Sequence, residues 1–257
     1  MQPLITPEMA VGFALVVSRV IGIFMSIPFL NTNFVPLNIR ILLVLSLSFF
    51  FVKILPIQVS LEHFTLFTFF LLTVKEVVIG FLLGLSVSLF VAAFSYAAEI
   101  ISYFMGLTIA NVFDPAFGQI SVFDRYFIAL FYLLFFVTGA YQIFIGSILK
   151  SFELIPVLEP INFDGFLFVL EKLPVIFYYG FKMAFPFALI LFIINVALAL
   201  VNRLIPQINV FIVGLPLQIF VGLASLTVGA AVLIYFGIRI IDDMVQTYLN
   251  TLGILGK

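Results

Sequence analysis

The stretch EVVIGFLLGLSVSLFVAAFSYAAEIISYFMGL, residues 76–107, joins a long apolar run to small or polar residues at regular intervals. Counted from Gly80 to Gly106, the successive intervals between these residues are 4, 4, 7, 4, 3 and 4. This spacing places their side chains on one face of a continuous helix. Small residues on one face let a second helix approach closely in an apolar medium, and serine hydroxyls bond across the contact. We therefore predict a helix-packing seam, aligned with Gly106, that consists of Gly80, Gly84, Ser88, Ser95, Glu99 and Ser102.

The composition of the whole chain excludes a freely soluble globule. Of its 257 residues, 65% are hydrophobic and 9% are charged, and the mean hydropathy is +1.35. Soluble domains are about 45–50% apolar and about 25% charged, so this chain needs lipid or burial in a large assembly. A net charge of −1 gives no electrostatic basis for nucleic-acid binding. Without cysteine, and with His63 as its one histidine, the chain is expected to hold no metal or cofactor and to have no enzymatic activity.

Six apolar stretches reach or approach the roughly 20 residues that a membrane-spanning helix needs. No linker or low-complexity tract separates them, so we predict one all-α domain over residues 1–257, with some helices kinked or broken. The third stretch is more than twice as long as the bilayer is thick, and is one kinked helix, two helices, or a helix that leaves the membrane. Pro186 and Pro216 lie inside apolar stretches and predict kinks. The stretches are about 11–30, 39–55, 64–107, 126–149, 174–201 and 210–238.

Ionisable residues inside the apolar stretches are the candidates for function or for structural pairing. A proton or ion relay needs several acidic groups along a path, and the middle of the chain offers only Glu76 and Glu99. Pairing between helices or subunits is therefore favoured. The adjacent Lys75 and Glu76 point about 100° apart on a helix, so each is expected to find a partner elsewhere. The predicted pairing set is Arg19, Lys75, Glu76, Glu99 and Arg203. No Lys or Arg precedes Arg19, so the first stretch is expected to be retained rather than cleaved as a signal peptide.

The segment from Gly106 to Val122 is apolar but interrupted by Asp114-Pro115. Irregular backbone at membrane depth is tolerated where protein covers it or where it lines a cavity. The segment is either a pore plug, which excludes water with its aromatic side chains, or an ordinary turn in which Asp114-Pro115 starts the next helix. In the plug interpretation, Asp114-Pro115 stops the preceding helix and two glycines let the loop move aside. The plug residues are Gly106, Asn111, Phe113, Asp114, Pro115, Phe117 and Gly118.

Four stretches together resemble one known family. They are RLIPQINVFIVGLPLQIFVGL at residues 203–223, SRVIGIFMSIPFLNTNFVPLNIRILLVLSLS at 18–48, the middle segment 76–115, and SFELIP at 151–156. In these motifs the chain resembles the FliR/SctT family, subunits of the type III protein export gate of flagella and injectisomes. The resemblance covers nearly the whole chain.

The resemblance implies a channel subunit that assembles with FliP-like and FliQ-like subunits, with an FlhB-like subunit associated, into a helically arranged gate. It also implies that most apolar segments pack as hairpins against neighbouring subunits, and that a loop of this subunit plugs the closed pore. Unfolded flagellar proteins would pass through the pore, at the bacterial inner membrane within the flagellar basal body. The alternatives are the homologous injectisome subunit and a proton- or ion-coupled membrane transporter subunit.

Overall fold

A computed structural model describes residues 6–27, 35–55, 65–108, 122–205 and 210–256. Throughout these ranges the regular secondary structure is helical, and none of the described residues forms a strand. The prediction of an all-α chain is therefore confirmed. In chain order the helices are α1 (Pro7–Ser26), α2 (Leu37–Ile54), α3 (Leu66–Phe104), α4 (Val122–Val137), α5 (Ala140–Leu154), α6 (Asp164–Glu171), α7 (Val175–Leu204), α8 (Val210–Val228) and α9 (Ala230–Leu255).

Four segments of the described chain are long and apolar enough to cross a membrane. Three of them are single helices, α1, α2 and α3, and the fourth joins α6 to α7. The pairs α4 with α5 and α8 with α9 also qualify if each bent pair counts as one span, which raises the number to six. Four to six candidate spans, some of them broken, agree with the six apolar stretches of the sequence.

The third apolar stretch forms one helix of 39 residues, α3. At 1.5 Å per residue it is about 58 Å long, well beyond the roughly 30 Å hydrocarbon core of a bilayer. Of the open alternatives for this stretch, the two-helix interpretation is thereby wrong. Helices α7 and α8 continue past Pro186 and Pro216. The 64° bend between α8 and α9 follows at Gly229, where a Cβ atom would lie 2.5 Å from the ring of Phe187.

The first of two compact units contains α1, α2, the first part of α3, α5, α6 and the last part of α9. Its core is formed by fully buried aliphatic residues such as Leu15, Ile23, Ile79 and Leu83. The ring of Phe51 on α2 packs against that of Phe152 on α5, with 6.1 Å between centroids. This unit consists of the residues Met1–Leu89, Gly139–Leu173 and Asp243–Lys257.

The second unit contains the last part of α3, α4, α7, α8 and the first part of α9. Phe94 on α3 meets Phe131 on α4 edge-on, with 5.2 Å between ring centroids, and both rings are buried. Gly180 on α7 lets that helix approach α3, because a Cβ atom there would lie 2.8 Å from the carbonyl oxygen of Ala93. The unit consists of the residues Phe90–Thr138 and Pro174–Asp242.

Candidate functional site

A buried arginine on α1 is the centre of the first candidate site. The Arg19 side chain is fully buried, and its Nε donates to Oε2 of Glu76 on α3 over 2.6 Å. Its two remaining nitrogens donate to backbone carbonyls at the end of α5, those of Ser151 at 2.7 Å and Ile155 at 2.8 Å. A buried charge is tolerated when it is both paired and hydrogen-bonded. Arg19 meets both conditions with groups from three helices or their ends.

Lys75 extends this cluster on the other side of Glu76. Its Nζ lies 3.2 Å from Oε1 of Glu76, so the carboxylate holds one cation on each oxygen. Nζ also donates to the backbone carbonyls of Val157 and, over 2.8 Å, Glu159. The expectation that Lys75 and Glu76 do not pair well with each other is wrong, because the lysine Nζ lies 3.2 Å from the neighbouring carboxylate. The expectation that each has a partner elsewhere agrees with these contacts.

We define the charge cluster as Arg19, Lys75 and Glu76. Backbone carbonyls at the end of α5 supply negative charge in addition to the Glu76 carboxylate. Two cations face one carboxylate, so the side chains alone carry a net positive charge. The carbonyls at the C-terminal end of a helix carry partial negative charge, and the Arg19 guanidinium caps those of α5. The ring of Phe152 lies 4.2 Å from the Arg19 guanidinium carbon and covers it from one side. The cluster thus ties α1, α3 and α5 together.

A close approach of α1 and α3 lies directly beside the charge cluster. A Cβ atom at Gly80 would lie 3.0 Å from Cα of Gly22, and one at Gly84 would lie 2.0 Å from the Ser26 hydroxyl. The hydroxyl of Ser88 donates to the carbonyl of Ser26. Small residues on both helices, with a serine bonding across, are the features expected of tight packing between apolar helices. We call Gly22, Gly80, Gly84 and Ser88 the glycine contact.

The remaining residues of the predicted seam lie on the part of α3 that belongs to the second unit. Ser95 is half-buried, Ser102 is buried, and Glu99 is exposed. Arg203, at the end of α7, is also exposed. Neither Glu99 nor Arg203 forms an ion pair with another described residue. Of the predicted pairing set, the structure thus brings together Arg19, Lys75 and Glu76.

Helix α3 ends in a glycine cap. Gly106 has φ +73°, in the left-handed region, and its N–H donates to the carbonyl of Tyr103 at 3.0 Å. The N–H of Leu107 donates to the carbonyl of Ser102 at 3.1 Å. This pair of bonds is the Schellman motif that ends many helices at a glycine. The helix therefore ends at Phe104, ten residues before Asp114, and the expectation that Asp114-Pro115 stops it is wrong.

Two amide side chains of the second unit reach the same helix end. Nδ2 of Asn195 on α7 donates to the carbonyl oxygen of Phe104 over 3.3 Å. Nε2 of Gln218 on α8 donates in turn to Oδ1 of Asn195. We call this Gln218–Asn195–Phe104 chain the amide relay. Sequence reasoning missed it, although a lone amide within an apolar helix is the signal that could have indicated it.

Residues 10–244 match the family model described as "Bacterial export proteins, family 1". The match covers most of the chain, including the charge cluster, the glycine contact and the amide relay. The chain belongs to this family.

Curated relatives in this export family agree with the assignment. The chain is 33% identical over 236 residues to the flagellar biosynthetic protein FliR of Aquifex aeolicus (strain VF5), covering 88% of each chain. It is 32% identical over 253 residues to FliR of Bacillus subtilis (strain 168), covering 95% of this chain and 96% of the relative. With FliR of Escherichia coli (strain K12) it shares 31% identity over 208 residues, 80% of this chain and 79% of the relative. The family resemblance seen in the sequence motifs is confirmed.

The predicted plug of this export-family chain falls largely outside the described residues. Only Gly106 of the predicted set is described, as the cap of α3. The plug assignment stays a prediction for Asn111, Phe113, Asp114, Pro115, Phe117 and Gly118.

The glycine cap gives a prediction that can be tested in the purified chain. Changing Gly106 to alanine is expected to lower the free energy of unfolding by about 1–2 kcal/mol, because a Cβ atom disfavours the left-handed region. Asparagine tolerates this region better, so Gly106→Asn is expected to lose less. Unfolding in detergent micelles, followed by circular dichroism, gives the values. Gly253→Ala is the control, since a Cβ atom at that helical position meets nothing within 4 Å. Equal losses at Gly106 and Gly253 would contradict the prediction.

Proposed function

We propose that this chain is a non-enzymatic subunit of the flagellar protein export gate, located in the bacterial inner membrane within the flagellar basal body. The observation that carries the proposal is the match to FliR proteins over 80–95% of the chain in the three relatives described above. All three are flagellar biosynthetic proteins by name, which favours the flagellar gate over its injectisome homologue. The four to six candidate spans support a place in a membrane.

We propose further that FliP-like and FliQ-like subunits surround the chain and form with it a pore for unfolded flagellar proteins, with an FlhB-like subunit associated. Exposed apolar side chains support such partners, because large apolar surfaces need lipid or protein to cover them. Of the 18 residues of α2, 17% are buried, and Leu42 and Phe50 are more than half exposed. The segment that joins α6 to α7 is similar, since 22% of the residues in its apolar stretch are buried.

The charge cluster supports a pairing role rather than a proton or ion relay. Glu76 is fully buried, and each of its oxygens lies within 3.2 Å of a cation. Each oxygen of this carboxylate is the counter-ion of a different cation, so loss of its charge would leave the buried Arg19 and the half-buried Lys75 without their carboxylate partner. The transporter alternative makes a different prediction, namely that the purified chain alone moves protons or ions across liposomes.

The proposed plug consists of the residues from Gly106 to Val122, with Phe113 and Phe117 supplying bulk that excludes water. An apolar constriction resists ions by dewetting, and a loop that moves aside opens it without covalent chemistry. The glycine cap supports this proposal, since it ends α3 at the residue where the predicted loop begins.

Deleting Phe113–Phe117 is expected to raise the ion conductance of membranes that contain the assembled complex, because the apolar constriction is lost. Conductance in planar bilayers is measured beside the yield of complex co-purified with the FliP-like and FliQ-like subunits. The control is the double substitution Tyr126→Ala with Phe136→Ala, which removes two exposed aromatic rings from α4, outside the segments assigned above to partner subunits. An assembled complex with unchanged conductance would contradict the plug. A deletion that prevents assembly would favour an ordinary turn.

A further inference from the structure

The amide relay places two polar side chains in otherwise apolar helices. Asn195 and Gln218 are both half-buried, in helices α7 and α8 whose neighbouring residues are apolar. A polar side chain in such a helix is costly unless it is hydrogen-bonded. Asn195 uses both ends of its amide, donating through Nδ2 to Phe104 and accepting through Oδ1 from Gln218. The end of α3 thus supplies the acceptor for the Asn195 donor.

The acceptor of the relay is a carbonyl that the helix itself leaves without a partner. The last four carbonyls of a helix have no intrahelical donor. The glycine cap supplies donors to Ser102 and Tyr103, through the N–H groups of Leu107 and Gly106. The carbonyl of Phe104 receives neither of these bonds, and Asn195 supplies its donor from α7.

Packing holds the residue that follows Phe104. The side chain of Met105 is fully buried, and a Cβ atom at Gly222 on α8 would lie 2.6 Å from its Cγ and Cε atoms. The ring of Phe104 meets Phe192 on α7 edge-on, with 6.4 Å between centroids. Three consecutive residues at the end of α3 are thus fixed by a hydrogen bond, by buried packing and by a left-handed backbone.

We propose that Asn195 and Gln218 are positioning residues, which tie the end of α3 to α7 and α8 and so fix where and in which direction the chain leaves that helix. A fully satisfied polar network specifies one arrangement, whereas a broken one leaves a buried group unpaired. The inference rests on the proposed function in one respect, since the chain that leaves α3 here is the proposed plug. Loss of the amide relay is then expected to loosen the end of α3, from which the proposed plug begins, in the closed complex.

The test replaces Asn195 by leucine, which has a similar size and no donor, in the full chain assembled with its partner subunits. Amide hydrogen exchange of a peptide containing residues 102–107 is expected to accelerate about fivefold, since one net hydrogen bond is worth roughly 1 kcal/mol. Membrane conductance of the same complex is expected to rise toward that of the Phe113–Phe117 deletion. Asn202→Leu is the matched control, because it removes an exposed amide from the same helix.

Exchanging the two amide residues tests whether their positions, and not only their polarity, hold the end of α3. Asn195→Gln combined with Gln218→Asn keeps the summed length of the relay and is expected to restore slow exchange and low conductance better than Asn195→Gln alone. If Asn195→Leu does not assemble, Gln218→Leu keeps the donor to Phe104 but removes the group that orients it, and is expected to give a smaller acceleration. Unchanged exchange in the assembled Asn195→Leu complex, or in the Gln218→Leu complex where it is used instead, overturns the inference.

The two proposals fail in distinguishable ways. If the deletion raises conductance while Asn195→Leu changes neither exchange nor conductance, the plug stands and the positioning role is overturned. If Asn195→Leu accelerates exchange but the deletion leaves conductance unchanged, the relay does fix the helix end and the plug is overturned.

Discussion

Replacing Glu76 by glutamine is expected to lower the free energy of unfolding by about 3–5 kcal/mol, because removing one partner of a buried ion pair leaves the other charge uncompensated. Two cations lose their counter-ion, since Arg19 Nε lies 2.6 Å and Lys75 Nζ lies 3.2 Å from the oxygens of this carboxylate. Glutamine keeps the size of the side chain, so the change in stability reports on the charge rather than on packing. Unfolding in detergent and the yield of assembled complex are the two measurements.

Glu153→Gln is the matched control for this prediction. Glu153 is an exposed acid on α5, two residues after the carbonyl that Arg19 binds, and exposed charges contribute little to stability. The Glu76→Gln complex is expected to form in lower yield and to show no separate defect in ion-driven export. A complex that assembles in normal yield but no longer exports would favour the relay interpretation over pairing.

The second large effect is expected at Gly80, where alanine should cost about 3 kcal/mol, the upper end of the usual penalty for overpacking. Its Cβ atom would lie 2.1 Å from the carbonyl oxygen of Arg19 and 2.8 Å from the backbone nitrogen of Ile23. Both atoms belong to the backbone of α1, so a rotamer change cannot relieve the clash and the helices must separate. Separation also lengthens the Arg19–Glu76 contact, which lies beside this point.

The comparison for Gly80→Ala is Gly146→Ala, in the middle of α5, where a Cβ atom meets nothing within 4 Å. Alanine there is expected to be neutral or to stabilise the helix by up to about 1 kcal/mol through its higher helix propensity. Gly84→Leu, with a larger side chain against Ser26, is expected to lower the yield of assembled complex. Equal stability of the Gly80→Ala and Gly146→Ala chains would show that α1 and α3 do not need this close approach.

The sequence predicted the helices because apolar length and the spacing of small residues report directly on them. The pattern on α3 indicated which face accepts a second helix, although nothing in it indicated α1 as that helix or Gly22 as the residue opposite Gly80. A pattern of small residues shows that a helix packs closely, but it does not identify the helix that packs against it. The partner became visible only when the fold placed the two helices together.

The sequence did not show which groups Arg19 and Lys75 bind, because most of their acceptors belong to the backbone. Arg19 and Lys75 could be recognised as charges in apolar stretches, but four of their seven acceptor atoms are carbonyl oxygens of the backbone, one of them that of Ser151. Every residue type except proline presents the same backbone groups, so residue identity does not mark such acceptors. Gly106 is a different case, because a glycine after a long apolar helix is itself a stop signal.

The residues that bind Arg19 are synthesised at different times after it. Arg19 is separated from Glu76 by 57 residues and from its carbonyl partners Ser151 and Ile155 by 132 and 136. At a synthesis rate of about 5–20 residues per second, the first carbonyl partner follows Arg19 by about 7 to 26 s. Throughout that interval the nascent chain carries an arginine in its first helix with an incomplete set of acceptors. The packing of the first unit can therefore be completed only after more than half of the chain has been made. A chain truncated before Ser151 contains an arginine that lacks these carbonyl acceptors.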